Sequence, residues 1–286
     1  PRRRPGARRP EETRNGDLRT GVVANAPGSA YMQQGRTKII ATVYGPRPVV
    51  DRGQTSAEGS LLLDFSFAPF ASRYESREGN EKRTLLYGSV LQRALESIVN
   101  LERYAKLALD VSVHVLEDDG SVLTAALAAA SLALADAKVE MRDLAAGASV
   151  HMVPGAAANG GPLLLLDCEG EEERSLPEGC AVLHLGLCPA QGTVCLLHSG
   201  GPIPAEPFEQ MVLLAKETAE KIGAEMRRGV EERELRRSAK RARKAQRAEG
   251  RRISSGDGAA LGEAEDGGIE GAAAEQESPA LGDAFA

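Results

Sequence analysis

The sequence has no tryptophan and only five phenylalanines and five tyrosines. Its interior must be filled by Leu, Val, Ile and many Ala residues, which lets elements pack closely. No charge-free run of about 18 apolar residues exists. The longest apolar stretch, Val122 to Ala135, is too short to cross a membrane as a helix. The opening residues carry no apolar segment, so no secretory leader is expected. The four cysteines, Cys168, Cys180, Cys188 and Cys195, are irregularly spaced and form no C-x-x-C pair. That spacing argues against a zinc site and for reduced thiols in a cytosolic or nuclear protein.

Charge is present but unevenly distributed, so the net value of −6 says little. The first 14 residues hold six arginines: Arg2, Arg3, Arg4, Arg8, Arg9 and Arg14. Residues 1–17 therefore read as a basic disordered arm. From Arg227 to Arg252 there are twelve basic and four acidic residues, the pattern of a solvated helical extension. From Ile253 to Ala286 there are eight acidic residues and no basic one among Gly, Ala and Ser, a composition expected to stay disordered. Residues 18–226 remain as the folding unit, about enough chain for a sizeable core.

Within that unit the hydrophobic periodicity alternates between strand and helix. Leu18 to Pro46 reads as three strands broken at Pro27-Gly28 and Gln34-Gly35. Leu61 to Phe67 is a strand with Leu61, Leu63, Phe65 and Phe67 on one face. Ala68 to Glu81 reads as a charged loop. Residues 84–103 carry a helical stripe of Leu85, Leu86, Val90, Leu91, Ala94, Leu95, Ile98 and Val99. Leu109 to Val115 alternates as a half-buried strand. Gly147 to Val153 and Leu163 to Leu166 are short strands, and Cys168 to Gly179 an acidic loop. Ala181 to Leu187 and Thr193 to His198 form a hairpin. Pro207 to Met226 is an amphipathic helix with Phe208, Met211, Val212, Ala215, Ala219 and Ile222 inward. The unit divides into an N-terminal part, 18–147, and a C-terminal part, 148–226.

The most informative stretch is Leu116 to Leu123, a strand, a tight turn and a helix start. Ser121 is placed to cap the helix. Such a turn presents free backbone N–H groups, a natural phosphate site. A phosphate-using enzyme would add an arginine there for bidentate hydrogen bonds. This chain has Val122 instead. Asp118 and Asp119 read as turn formers. The run Glu169, Glu171, Glu172 and Glu173 points its side chains in different directions, as a solvated loop would. Cys180 has no histidine placed by sequence to activate it. His114, His151, His184 and His198 show no ligand spacing.

The order of elements, and the blocks Gly28-Ser29-Ala30-Tyr31, Gly35-Arg36-Thr37-Lys38 and Val43-Tyr44-Gly45-Pro46, resemble the RNase PH family. So do Ala94-Leu95-Glu96, Leu101-Glu102-Arg103-Tyr104, Ser131 to Ala137, and Leu165-Leu166-Asp167 followed by Glu171-Glu172-Glu173. The resemblance covers about residues 18–226. It implies an α/β (α+β) fold, with a βαβ core like that of ribosomal protein S5 domain 2 and mixed sheets packed on helices. Active members cleave RNA from its 3′ end with inorganic phosphate. They use a Gly-Thr-Arg turn and two aspartates six residues apart. The corresponding positions here are Val122, Arg174 and Cys180, so the resemblance implies a degenerate catalytic site with no metal and no cofactor.

Inert members of the family are scaffold subunits of the eukaryotic exosome ring. They work in rRNA processing and mRNA decay in nucleus, nucleolus and cytoplasm. That role implies ring and cap subunits and single-stranded RNA as partners, with no membrane. Arg73, Arg77, Lys82 and Arg83 are the candidates for RNA phosphate contacts, since a threading channel needs positive charge without sequence readout. The alternatives are an active phosphate-dependent 3′-to-5′ exoribonuclease, and a free-standing RNA-binding protein acting through 227–252.

Overall fold

The computed structural model describes Arg4 and residues 8–48, 58–72, 76–157 and 160–256; for Arg77 and for 245–256 only the backbone is described. By contacts the chain divides into two units, residues 1–236 and 237–286.

The first unit holds two sheets. Strands β1 (Gly16–Thr20), β2 (Gly28–Gln34) and β3 (Thr37–Pro48) form an antiparallel meander. Strand β5 (Leu107–Glu117) pairs antiparallel with β3, and β4 (Ser60–Phe67) pairs parallel with β5, giving the order β1-β2-β3-β5-β4. The parallel pair requires a crossover, which helix α1 (Arg77–Ile98) supplies. The second sheet is antiparallel, with β6 (Ala146–Val153), β7 (Leu163–Leu166), β8 (Ala181–Cys188) and β9 (Thr193–Gly200) in the order β7-β6-β8-β9.

Helix α2 (Val122–Asp136) packs on both sheets. It is rich in alanine, the best helix former, and apolar all round, so burial on every side suits it. All its residues except Ala135 are buried. Glycines let the sheets close on it. A Cβ at Gly28 would lie 2.3 Å from the Ala133 carbonyl, and one at Gly186 would lie 2.5 Å from Leu127. The helix ends with Lys138 N–H donating to Ala135 O and Val139 N–H to Leu134 O, both at 3.1 Å, with Lys138 at φ 62°. This is a Schellman arrangement in which lysine holds the left-handed position usually given to glycine.

Several expectations are corrected. The described part of residues 1–17 is not a free arm. Pro10 O accepts from Leu166 N–H at 2.8 Å, and Asn15 O from Gly35 N–H at 2.9 Å. Helix α1 begins at Arg77, inside the stretch read as a loop; Ser76 Oγ caps it by accepting from Gly79 N–H at 3.1 Å. Leu85 and Leu86 leave the stripe, Leu85 being 76 % exposed, while Leu91, Ala94, Leu95 and Ile98 are buried. The acidic loop contains a short helix, α3 (Gly170–Ser175), closed by a reciprocal capping box between Glu169 and Glu172. Helix α4 (Ala205–Gly256) buries Met211, Ala215, Ala219 and Met226, but Phe208 is exposed. The backbone of the basic segment 227–252 is helical within α4, and 257–286 lies outside the described residues.

Candidate functional site

The turn between β5 and α2 is built by its own carboxylates and its neighbours. Asp118 Oδ1 accepts from Gly120 N–H at 3.2 Å, closing the turn locally. Asp119 accepts from Gly170 N–H through both its carbonyl, at 3.0 Å, and its carboxylate, at 3.2 Å. Thr37 Oγ1 accepts from Asp119 N–H at 3.2 Å and donates to Gly120 O at 2.8 Å. Gly120 has φ +87°, and a Cβ there would meet Cys168 O at 2.4 Å, so only glycine fits.

Ser121, also left-handed at φ 55°, stands at the N-cap position but does not cap with its side chain. Its hydroxyl pairs with Ser149 Oγ at 2.5 Å instead. The Ser121 N–H donates to Glu173 Oε1 at 3.3 Å. An internal carboxyl group thus sits at the turn ahead of α2, where the sequence suggested an anion site. Val122, beside it, is 2 % exposed and offers no charge.

Burial pushes the Glu173 carboxyl up to about 7, against the Ser121 N–H bond, which favours ionisation. His151 Nε2 lies 3.4 Å from Glu173 Oε1. Burial pushes His151 down to about 4, so the two groups meet as neutral partners only between about pH 4 and 7. Behind the turn, Arg14 donates to Asp119 O at 2.6 Å, Gly120 O at 3.2 Å and Asp167 Oδ1 at 2.6 Å. Asp167 Oδ2 accepts from Arg14 N–H and from Gln34 Nε2, each at 2.9 Å. Burial alone would raise the Asp167 carboxyl, but the Arg14 charge and hydrogen bonds hold it below the usual carboxylate range. The network joins the β2–β3 turn, the α2 turn and the corner after β7.

The residues singled out by sequence separate in space. Val122 sits at the turn. Arg174 is on the exposed side of α3, and the side chain that α3 delivers to the turn is Glu173, one residue earlier. Cys180 is half-buried just before β8, and burial raises its thiol. The acidic run does diverge: Glu169 and Glu172 meet the N-terminal arginines, while Glu173 turns inward.

Of the RNA-contact candidates, Arg73 and the Arg77 side chain lie outside the described residues. Lys82 is exposed on α1. Arg83 is on α1 rather than a loop and is engaged inward. It donates to Asp118 at 2.7 Å and lies over the rings of Phe67 and Tyr87, at 4.9 and 5.4 Å. Arg14 and Glu173 are the residues at the turn that the sequence did not single out. One arginine among six, and one glutamate in a run of three, carry no periodic signal.

Two sheets pack around a buried helix, with a glycine turn at that helix's N-terminus. The family described as the 3′ exoribonuclease family (RNase PH), domain 1, matches residues 12–140. The exosome complex component Rrp41 of Methanopyrus kandleri is 33 % identical over 226 residues, covering 79 % of this chain and 90 % of that protein. The human exosome complex component MTR3 is 41 % identical, covering 76 % of this chain and 82 % of that protein. The crystal structure of rice Rrp46 superposes with a TM-score of 0.65 at 25 % identity, over 79 % of this chain and all of that one. An Archaeoglobus fulgidus exosome with RNA bound to the active site shares the fold, with a TM-score of 0.63 at 21 % identity, over 77 % and 91 % of the two chains. The chain belongs to the RNase PH family.

Proposed function

We propose that this chain is a structural subunit of the RNA exosome core ring and contributes surfaces rather than chemistry. It assembles with other RNase PH-like subunits and a cap subunit around a channel for single-stranded RNA. In that place it supports 3′-to-5′ processing and degradation, including rRNA processing and mRNA decay, in nucleus, nucleolus and cytoplasm. The observation that carries the reading is the internal carboxyl group at the turn ahead of α2. Glu173 takes the Ser121 N–H, and Val122 stands where a cation would have to hold phosphate. Removing one preorganised electrostatic contact typically costs about 100- to 1,000-fold in rate, and Val122 supplies no such contact. The kinship with exosome components named Rrp41 and MTR3 supports the assembly role.

A second reading, an active phosphate-dependent exoribonuclease, draws on one feature: a carboxyl poised near 7 beside the turn could handle a proton. Affinity purification of the tagged chain with mass spectrometry tests assembly. Recovery of the other ring and cap subunits at equal stoichiometry is expected. A chain recovered free of them would refute the role.

A further inference from the structure

Arg4 and Arg8 meet the acidic side of α3, a contact that the turn before α2 does not explain. Arg4 lies ahead of the family-matched stretch, yet its side chain is only 7 % exposed. Its guanidinium has five N–H groups, and six acceptor oxygens surround them. Nε donates to Glu172 Oε1 at 2.7 Å. Nη1 donates to the carbonyls of Arg9 and Pro10, at 3.0 and 3.1 Å. Nη2 donates to Leu166 O at 2.8 Å, Glu172 Oε2 at 3.0 Å and Asp167 O at 3.3 Å. Arg8 adds bonds to Asp167 O at 3.2 Å and to Glu169 Oε1 at 2.9 Å. The neighbouring arginines hold the Glu172 carboxyl below its usual range, although burial opposes this. Pro10 O also takes the Leu166 N–H on the edge strand β7.

We infer that the surface between the Leu166–Asp167 corner and the acidic side of α3 is a guanidinium-binding site whose resident ligands are this chain's own Arg4 and Arg8. The planar fork is what the surface reads. Glu172 takes two parallel N–H bonds from Arg4, and backbone carbonyls take the rest, a geometry that an ammonium group cannot reproduce. The same Glu172 carboxylate closes the capping box by accepting from Glu169 N–H at 2.9 Å. Occupation of this surface therefore steadies α3, which carries Glu173 to the turn. The chemical class of any competitor is an arginine-rich peptide.

Amide hydrogen exchange on the full chain tests this. The double variant Arg4→Lys and Arg8→Lys keeps the charge and removes the fork. It should speed exchange at Leu166 N–H by about tenfold or more, as expected for losing one or two charge-assisted hydrogen bonds. Arg19→Lys, an exposed control, should leave that exchange unchanged. Exchange at Leu166 within about twofold of wild type in the double variant would overturn the assignment. If amides of α2 accelerated as well, the wild-type protein alone decides: Arg4 Nε–H should exchange at least about tenfold more slowly than Arg19 Nε–H. Equal rates would overturn it.

Discussion

Glu173, Asp167, His151 and His184 set the pH behaviour at the scale of single residues. Glu173 is raised in the folded protein to about 7 from an ordinary value of 4.5. The folded state therefore binds its proton more tightly, and stability falls as pH rises from about 4.5 to 7. Glu173→Gln removes that loss. With a third of the side chain open to solvent, the variant should be about 1–2 kcal/mol more stable than wild type at pH 8 and equal to it near pH 4.5, read by urea unfolding. His151 and His184 act in the opposite direction. Burial holds them down at about 4 and about 3, so the unfolded chain takes up their protons first as pH falls below about 6.5, and stability drops. Replacing His184 by Gln should flatten the acid side of the stability curve between pH 6 and about 4. Asp167 is the residue whose loss costs most. Asp167→Ala strands the buried Arg14 charge and should destabilise by about 3–5 kcal/mol in denaturant melts. An unchanged midpoint would show that the Arg14 network carries no stability.

Helix ends and close approaches decide the outcome at the scale of elements. Ser76→Ala removes the α1 cap and should cost about 1 kcal/mol. Lys138→Gly should add up to about 1 kcal/mol, because glycine takes the left-handed position after α2 without a Cβ penalty. The exposed Lys138–Glu234 pair that it gives up is worth little. Gly28→Ala should cost at least about 1–3 kcal/mol, since its Cβ would strike the α2 backbone. Thermal melts rank all three. The strands and the central helix were legible in the sequence, because period-2 alternation from Leu109 to Val115 and the alanine run after Ser121 carry their own signals. The start of α1 was hidden by its charge: Arg77 to Lys82 has no apolar stripe to reveal a helix held by one serine cap. Helix α3 was hidden because a six-residue acidic helix is stabilised by its capping box and by arginines distant in sequence. The candidate site was half legible. The valine at the start of α2 could be read directly, but the arrival of Glu173 and Arg14 at the turn depends on tertiary contacts across more than 50 residues.

At the scale of the whole molecule, the fold is that of the RNase PH family, and the turn before α2 joins its two sheets, with Arg4 and Arg8 bound to α3 beside it. The basic part of α4 beyond Arg236 belongs to a separate unit. A chain ending at Arg236 keeps Met226 and the Arg227–Asp143 and Arg233–Asp136 pairs. It should therefore still recover the ring partners in affinity purification; loss of those partners would favour a protein that works through its basic helix. The central claim, that the chain serves assembly without catalysis, is tested most directly by phosphorolysis. The purified chain, alone and reconstituted with its RNase PH-like partners, is given poly(A), phosphate and magnesium, and nucleoside diphosphate release is measured. No release by the chain alone is predicted, and release by the complex should be the same with wild type and with Glu173→Gln. Release that disappears on Glu173→Gln, with the complex still assembled, would contradict the account.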